Sequence, residues 1–245
     1  MEKNKKKIKI RMIFSAVFFI ALITIGILYV ISLPDPNAPI LITIEPSEYY
    51  EALSLDDIFW LNGGKKAEIR RFGYGYRANE IQEIEGPFTS GVILTPEDAV
   101  KALTSVRDIM NIESFSYIYI ANSPYSYINT HANRTAFYLK QVYNGVEVFN
   151  GQFTVYATND GKPVRVSGMY INIVDLDTIP TVSSDEAKEV LNLNDGEWIY
   201  ETKLVIYEFG KVDIRLCWIF NTNERFFLVD AQTGKLAKWG WTIIA

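Results

Sequence analysis

The stretch FYLKQVYNGVEVFNGQFTVYATNDGKPVRVS, residues 137–167, predicts three antiparallel strands joined by two tight turns. Asn144-Gly145 stands between apolar and aromatic residues, and an Asn-Gly pair in that setting is the strongest short-range signal for a hairpin. Glycine adopts positive φ without steric cost, and asparagine tolerates it better than most residues. Asp160-Gly161 has the same chemistry and predicts the second turn. We therefore expect a three-stranded β-meander here.

The sequence on either side of this meander predicts helices that are followed by strands. Thr95 is a favourable N-cap, and the apolar residues after it recur at helical spacing, namely Ala99, Val100, Leu103, Val106 and Met110. Ser183 and Glu186 form a capping box that begins a second helix within residues 181–193. Residues 202–241 predict a meander of four strands, in which residues 213–220 alternate with a period of two and have one richly apolar face. The pattern predicts an α+β fold with two copies of a helix packed on an antiparallel sheet.

The N-terminal residues have the pattern of a membrane anchor. Residues 1–11 contain six Lys and Arg, and residues 12–33 are an uncharged run of roughly 22 residues, long enough to cross a hydrocarbon core of about 30 Å. Because basic residues stay on the cytoplasmic side, we predict a cytoplasmic tail at 1–11 and a single-pass transmembrane helix in the lipid bilayer at 12–33. Residues 34–94 would be an N-terminal extracytoplasmic segment, partly strand. A cleaved signal peptide is the alternative.

The charge balance excludes one class of partner. The chain has 24 Lys and Arg against 29 Asp and Glu. Six of the cations and one acid lie in the tail, so the remainder carries a net charge of about −10. An acidic domain is repelled by nucleic acid, and we therefore predict no nucleic-acid binding.

Several segments resemble the FTP and PepSY modules, which are found in the propeptides of thermolysin-type and fungalysin-type metalloproteases. YLKQVYNGVEVFNGQFTVYATNDGKPVRVSG (138–168) resembles the FTP pattern. VSSDEAKEVL (182–191) and LVIYEFGKVDIRLCWIFNTNERFFLVDAQTGKLAKW (204–239) resemble the helix start and the strands of PepSY. The resemblance covers residues 95–241, with an FTP-like part at 137–174 and a PepSY-like part at 180–241. It implies cystatin-like rolls, in which an antiparallel sheet wraps a helix.

The turns within these segments define the modules, at Asn144, Gly145, Asp160, Gly161, Asp230 and Gly234. The layout of the chain is also similar to that of YycH and YycI, membrane-anchored accessory proteins that restrain a sensor histidine kinase. The two resemblances imply different partners, a metalloprotease or a sensor histidine kinase. The sequence contains no His-Glu-x-x-His motif of a protease catalytic domain.

The residue types that catalysis needs are scarce. His131 is the only histidine and Cys217 the only cysteine, whereas a zinc hydrolase needs two or three His or Cys ligands and a general base. Ser123 and Ser126 lie close to His131 in sequence, but no nucleophile-elbow motif accompanies them. We therefore predict that the protein is not an enzyme and has no catalytic residue.

Two further residue pairs occur at alternating positions. Asp175 and Asp177 would share one face of a continued strand, but no Asp/Asn-rich loop of calcium-site spacing surrounds them. We predict no metal site and no cofactor. Trp239 and Trp241 share one face near the C-terminus and could line a protein-contact surface.

The function that these patterns favour is regulation. We expect a non-enzymatic, membrane-anchored extracytoplasmic protein that binds and modulates a protease or a sensor kinase. The alternative is a domain that binds a small molecule or a cell-wall ligand in a gap between helix and sheet.

Overall fold

The computed structural model describes residues 39–73, 77, 80–120 and 133–241. Of these residues 44% lie in strands and 16% in helices. The strands are β1 (Ile40–Thr43), β2 (Glu68–Arg71), β3 (Ile81–Glu85), β4 (Ser116–Tyr119), β5 (Arg134–Tyr143), β6 (Val146–Thr158), β7 (Pro163–Met169), β8 (Ile199–Gly210), β9 (Asp213–Thr222), β10 (Arg225–Asp230) and β11 (Leu236–Trp241). The α-helices are α1 (Leu55–Leu61), α2 (Pro96–Leu103), α3 (Arg107–Met110) and α4 (Ser184–Lys188), and short 3-10 helices span Pro46–Glu48 and Thr104–Val106.

All eleven described strands belong to one sheet, and β6 is its central strand. The order along the sheet is β1-β4-β5-β6-β8-β9-β10-β11, and β7, β3 and β2 continue from β6 as a branch. Every described strand pair is antiparallel except β6 and β8, which are parallel. Glu147 faces Val205 and Val148 faces Ile206 in that pairing. These two residue pairs join an N-terminal half, which contains β1 to β7, to a C-terminal half, which contains β8 to β11.

A buried glutamine lies near the point at which the neighbour of β6 on one side changes from β8 to β7. The ladder between β5 and β6 is interrupted between Lys140 and Val142. Gln141 lies at this interruption, and its Nε2 donates to the carbonyl of Ile171 at 2.8 Å. The Ile171 amide in turn donates to Gln141 Oε1 at 2.9 Å. The side chain thus supplies a segment outside the sheet with the two hydrogen bonds that a neighbouring strand would give.

Helix α2 forms the core of the N-terminal half. The Thr95 side chain accepts from the amide of Asp98, which completes a capping box. The predicted stripe is buried, and Leu103 and Val106 are fully enclosed. They belong to the same apolar cluster as Tyr117 and Phe153, which lie on the sheet. This burial removes apolar surface from water and stabilises the packing of the helix on the sheet.

Helix α4 contributes much less to the C-terminal half. It has the predicted capping box, with the Ser183 side chain accepting from the Glu186 amide, but it ends at Lys188. Ala187 is its one buried residue and packs with Phe220 and Phe227. Val190, which lies within the range predicted for the second helix, is beyond its end and exposed.

The predicted fold class is wrong. We expected an α+β fold in which an N-terminal transmembrane helix precedes two cystatin-like rolls, and the described chain is mostly β in a single mixed sheet. The physical reason is the parallel pairing of β6 with β8, which merges what would have been two separate sheets. In addition, α4 is too short to be wrapped by a sheet.

The predicted tail at 1–11 and anchor at 12–33 lie outside the described residues. Among the residues that are described, no helix combines the length and apolar character needed to cross a membrane.

Candidate protein-contact surface

Strand β11 is one end of the sheet and carries two exposed tryptophans. Within the described chain it pairs with β10 alone. Trp239 is 51% exposed and Trp241 is 67% exposed. Their rings meet edge to face with centroids 6.2 Å apart. An aromatic pair this accessible is typical of a contact surface, because it buries much apolar area when a partner covers it.

The two tryptophans lie beside side chains of the neighbouring strand β10. Trp239 lies opposite Phe227 and Trp241 opposite Arg225, so these four side chains share one face of the sheet. The Arg225 guanidinium lies 4.8 Å from the ring centroid of Phe227 and 5.8 Å from that of Trp239. We call this side of the strand, with Trp239 and Trp241, the tryptophan face.

Arg225 is held in place by a buried carboxylate. Its Nε donates to Glu197 Oε1 at 3.1 Å, and its Nη2 donates to Glu197 Oε2 and to the carbonyl of Asn192. The Thr222 hydroxyl donates to the same carboxylate at 2.6 Å. The hydrogen bond from Arg225 lowers the pKa of Glu197 to about 2, and the bonds from Thr222 and Asn194 act in the same direction. The sequence patterns did not predict the pairing of Glu197 with Arg225. The one available signal was the alternation in β10 that places Arg225 and Phe227 on the same face.

The opposite face of β11 has a different character. Lys238 Nζ donates to the Tyr207 hydroxyl at 2.5 Å and lies 4.9 Å from the centroid of that ring. Next to it the Phe226 ring covers Gly240 so closely that a Cβ there would lie 2.7 Å from the ring. The strand therefore presents aromatic side chains on one face and a lysine on the other.

The turns that the sequence singled out have the following structures. Asn144 and Gly145 join β5 to β6, and both have positive φ. In the next turn the Gly161 amide donates to the carbonyl of Thr158 at 2.8 Å. Asp230 Oδ1 accepts from the amides of Gln232 and Thr233, and the Gly234 amide donates to the Asp230 carbonyl, all before β11 begins. This last turn orients the strand that carries the tryptophans.

The residues considered for catalysis do not form a site in the described part of the chain. Cys217 is fully buried in β9, and burial raises the pKa of its thiol to about 12. His131, Ser123 and Ser126 lie outside the described residues. No group of three or more His, Cys, Asp or Glu that could hold a metal occurs among the residues described.

Asp175 and Asp177 lie in an exposed loop rather than on a continued strand, because β7 ends at Met169. Asp177 Oδ1 accepts from the amide of Ile179 at 2.9 Å. The carboxylate therefore stabilises a local turn.

The gap between helix and sheet that the ligand-binding alternative requires is filled by side chains next to α2. Leu103, Val106 and Phe153 occupy the space between α2 and the sheet and are fully buried. A cleft of about 620 Å³ lies elsewhere, between the β8–β9 hairpin and the loop after β7. Arg77 and Glu208 line it and form a salt bridge at 2.6 Å.

Comparison with known proteins identifies one segment of the chain. Residues 134–170 match the Fungalysin/Thermolysin Propeptide Motif, FTP, and this segment comprises β5, β6 and β7. No curated protein matches the chain. Among solved structures, the Bacillus megaterium YpeB C-terminal domain is 17% identical, with a TM-score of 0.37, over 78% of this chain and 99% of that one. The likeness to YycH and YycI is not confirmed. The chain is thus a protein with an FTP propeptide motif, as the strands and turns of residues 138–168 indicated.

Proposed function

We propose that this protein is a non-enzymatic regulatory domain that binds another protein through the tryptophan face of β11. The propeptide motif at residues 134–170 carries the proposal, because motifs of this type are named for segments that accompany metalloproteases. The exposed Trp239 and Trp241 supply the surface, since tryptophan is among the residues that contribute most to protein interfaces. We propose a protease of the thermolysin or fungalysin class as the partner, and a sensor kinase as the competing one.

We also propose that the domain acts outside the cytoplasm, at the cell membrane. The uncharged sequence of residues 12–33 and the basic residues before it support this location. Fractionation of cells, followed by protease treatment of intact cells, tests it. We expect the chain in the membrane fraction and its C-terminal part to be digested from outside. Recovery in the soluble cytoplasmic fraction would contradict the location.

A photo-crosslinking experiment tests the partner. A photoreactive amino acid replaces Trp241 in the full chain, and crosslinked proteins are identified by mass spectrometry. The double substitution Trp239→Ala and Trp241→Ala is then expected to lower capture of the same protein, measured from a crosslinker at a neighbouring position, by about thirtyfold, since a hot spot contributes about 2 kcal/mol or more.

Trp60 offers a matched control. It lies on α1 and is 72% exposed, so Trp60→Ala removes an equally accessible tryptophan from another surface. We expect Trp60→Ala to leave capture unchanged. Equal losses in the two variants, or repeated absence of any captured protein, would count against the proposed contact.

A further inference from the structure

The described ends of the sheet are not equally protected against pairing with another chain. Strand β2 ends the branch and carries Glu68, Arg70 and Arg71, all exposed charges. Charged side chains of this kind discourage edge-to-edge pairing. The main path has two ends, and β1 at one of them is uncharged but only four residues long, and very short edge strands also discourage pairing. Strand β11 at the other end has six residues, with Trp239 and Trp241 exposed and Lys238 as its only charge. It is therefore the edge better suited to accept a further strand.

Backbone geometry gives this edge a hydrogen-bonding capacity. Along an antiparallel strand, alternate residues direct both their N–H and their C=O groups to the same side. In the described chain β11 has β10 on one side, and the ladder is regular from Lys238 to Trp241, so alternate residues of that stretch face outward. An extended segment that lies beside them would satisfy those groups and continue the sheet.

The two faces of β11 then select the side chains of such a segment. Successive residues of the added strand point alternately to the tryptophan face and to the face of Lys238. Apolar side chains suit the first position, because they would cover Trp239 and Trp241. An acidic side chain suits the second, because it would meet the ammonium group of Lys238.

Charge balance on the Lys238 face supports an acidic partner. On this face of the sheet Lys203 pairs with Glu147, Arg215 pairs with Asp213 and Asp230, and Glu201 accepts a hydrogen bond from Asn221. Lys238 has no carboxylate within salt-bridge distance among the described residues. The sequence from Ala231 to Trp241 also contains two lysines and no acid. Strand β11 itself is thus basic, although Asp230 precedes it and the domain as a whole is acidic.

We infer that β11 binds an extended segment of its partner in which apolar residues alternate with acidic ones, the apolar side chains covering Trp239 and Trp241 and a carboxylate pairing with Lys238. This inference rests on the proposed function and specifies the partner's chemistry. A second copy of the chain fits less well. If Trp239 faced its symmetry mate, Lys238 would lie opposite Gly240 of the other copy and gain no carboxylate.

Peptides test the inference directly. Fluorescein-labelled Val-Glu-Val-Glu-Val-Glu is titrated with the full chain in detergent, and its anisotropy is compared with that of Val-Lys-Val-Lys-Val-Lys and of the block peptide Val-Val-Val-Glu-Glu-Glu. We expect the alternating acidic peptide to bind at least about tenfold more tightly than either of the others. A lysine of the second peptide would be repelled by Lys238. The block peptide cannot place apolar side chains on one face of the strand and acidic side chains on the other. Equal binding of all three would overturn the inference.

Charge reversal identifies the residue responsible. Lys238→Glu is expected to reverse the preference, so that the lysine peptide binds more tightly than the glutamate peptide. Lys65→Glu is the control, since Lys65 is exposed in the loop after α1 and should leave the preference unchanged. An unchanged preference in Lys238→Glu would overturn the role of Lys238.

Backbone methylation tests for strand addition. Two versions of the acidic peptide carry N-methyl groups at alternate residues, one set on the valines and the other on the glutamates. Strand addition predicts that one version loses binding and the other retains it, because one set of amides faces β11 and the other faces away. Equal behaviour of the two would contradict strand addition.

The outcomes separate this inference from the proposed function. If the peptides do not bind but crosslinking through position 241 still captures a partner, the inference fails and the proposed function stands. If sedimentation shows a dimer that Trp239→Ala and Trp241→Ala abolish, the edge pairs with a second copy and the inference is overturned. If the acidic peptide binds but no partner is captured, the edge specificity stands and the proposed function fails.

Discussion

The two halves of the sheet are stabilised in different ways, although both begin with the same local signal. Thr95 and Ser183 each start a helix with a capping box. Helix α2 buries four of its eight residues and supplies the core of the N-terminal half. Helix α4 has five residues and buries one of them. In the C-terminal half the apolar clusters consist mainly of strand residues, and a buried ion pair between Glu197 and Arg225 holds the chain that follows the helix.

This difference shows that a helix start does not determine the length of the helix. A capping box satisfies the first amides of a helix, but the apolar stripe after it determines how many turns can be buried. The helix does not continue after Lys188, and the carbonyl of Asn192 in the following segment accepts a hydrogen bond from Arg225. The chain that follows the capping box is therefore held mainly by polar contacts in the C-terminal half, whereas in the N-terminal half it is held by apolar packing.

The largest expected effect comes from the apolar core of the N-terminal half. Leu103→Ala should lower the free energy of unfolding by roughly 2–5 kcal/mol, because the side chain is fully buried and its removal leaves a cavity. Urea unfolding of the full chain measures this. Leu94→Ala is the control, because Leu94 is 60% exposed and should change stability by about 0.5 kcal/mol or less. Similar losses in both variants would show that α2 does not dominate this half.

A second effect concerns the β-meander of the FTP motif. Gly168 in β7 has a φ of 148°, and a Cβ there would lie 2.1 Å from the carbonyl oxygen of Gln152. Because backbone cannot move aside cheaply, Gly168→Ala should destabilise the fold by about 1–3 kcal/mol or more. Gly210→Ala is the control, since no atom lies within 4 Å of its added Cβ. A neutral Gly168→Ala in urea unfolding would mean that β6 and β7 can separate at this point.

The ion pair of the C-terminal half gives a smaller effect that depends on pH. Because the folded pKa of Glu197 is lowered to about 2, its contribution to stability is fully present above the ordinary glutamate pKa and is lost as the pH falls from about 4.5 to 2. Glu197→Gln should therefore be less stable than the wild type at pH 6, and the difference should shrink toward pH 2. Urea midpoints at a series of pH values measure it.

Glu201→Gln serves as the control for that series, since Glu201 is an exposed glutamate close by, in strand β8. Its stability profile should follow that of the wild type throughout. A constant difference between Glu197→Gln and the wild type from pH 6 to pH 2 would show that the ion pair does not stabilise this half.

The smallest expected effect is at the tryptophan face. Trp241 is two-thirds exposed, so Trp241→Ala should change the free energy of unfolding by about 0.5 kcal/mol or less. Thermal and urea unfolding test this. A larger loss would show that the tryptophan pair stabilises the C-terminal half itself and would weaken its assignment as a contact surface.

The sequence predicted those features that depend on neighbouring residues. The Asn144-Gly145 turn, the start of α2 at Thr95 and the four C-terminal strands each depend on a short stretch of chain, where φ preference, capping and alternation act directly. The match to the propeptide motif confirms the resemblance that rested on the same residues.

The structural features that the sequence predicted wrongly, or did not predict, depend on pairings between residues that are distant in the chain. No local pattern states that Val148 will lie beside Ile206, and this pairing made the fold class wrong. The partnership of Glu197 with Arg225 is also beyond a local pattern, because it joins a loop to a hairpin. Alternation placed Trp239 and Trp241 on one face, but their position at the end of the sheet follows only from the strand order.

The parallel pairing of β6 with β8 also has a consequence for the rate of folding. The strands β8 to β11 follow one another in the chain and pair as neighbours, so their contacts close short loops. In the other half, Ile40 pairs with Tyr119 and Glu83 with Ser167, which requires long loops to close first. We expect the C-terminal strands to gain protection in pulsed hydrogen exchange before β1 and β3 do. Pairing of β6 with β8 would then be a late step, in which the N-terminal half, which folds slowly, joins the C-terminal half, which folds earlier.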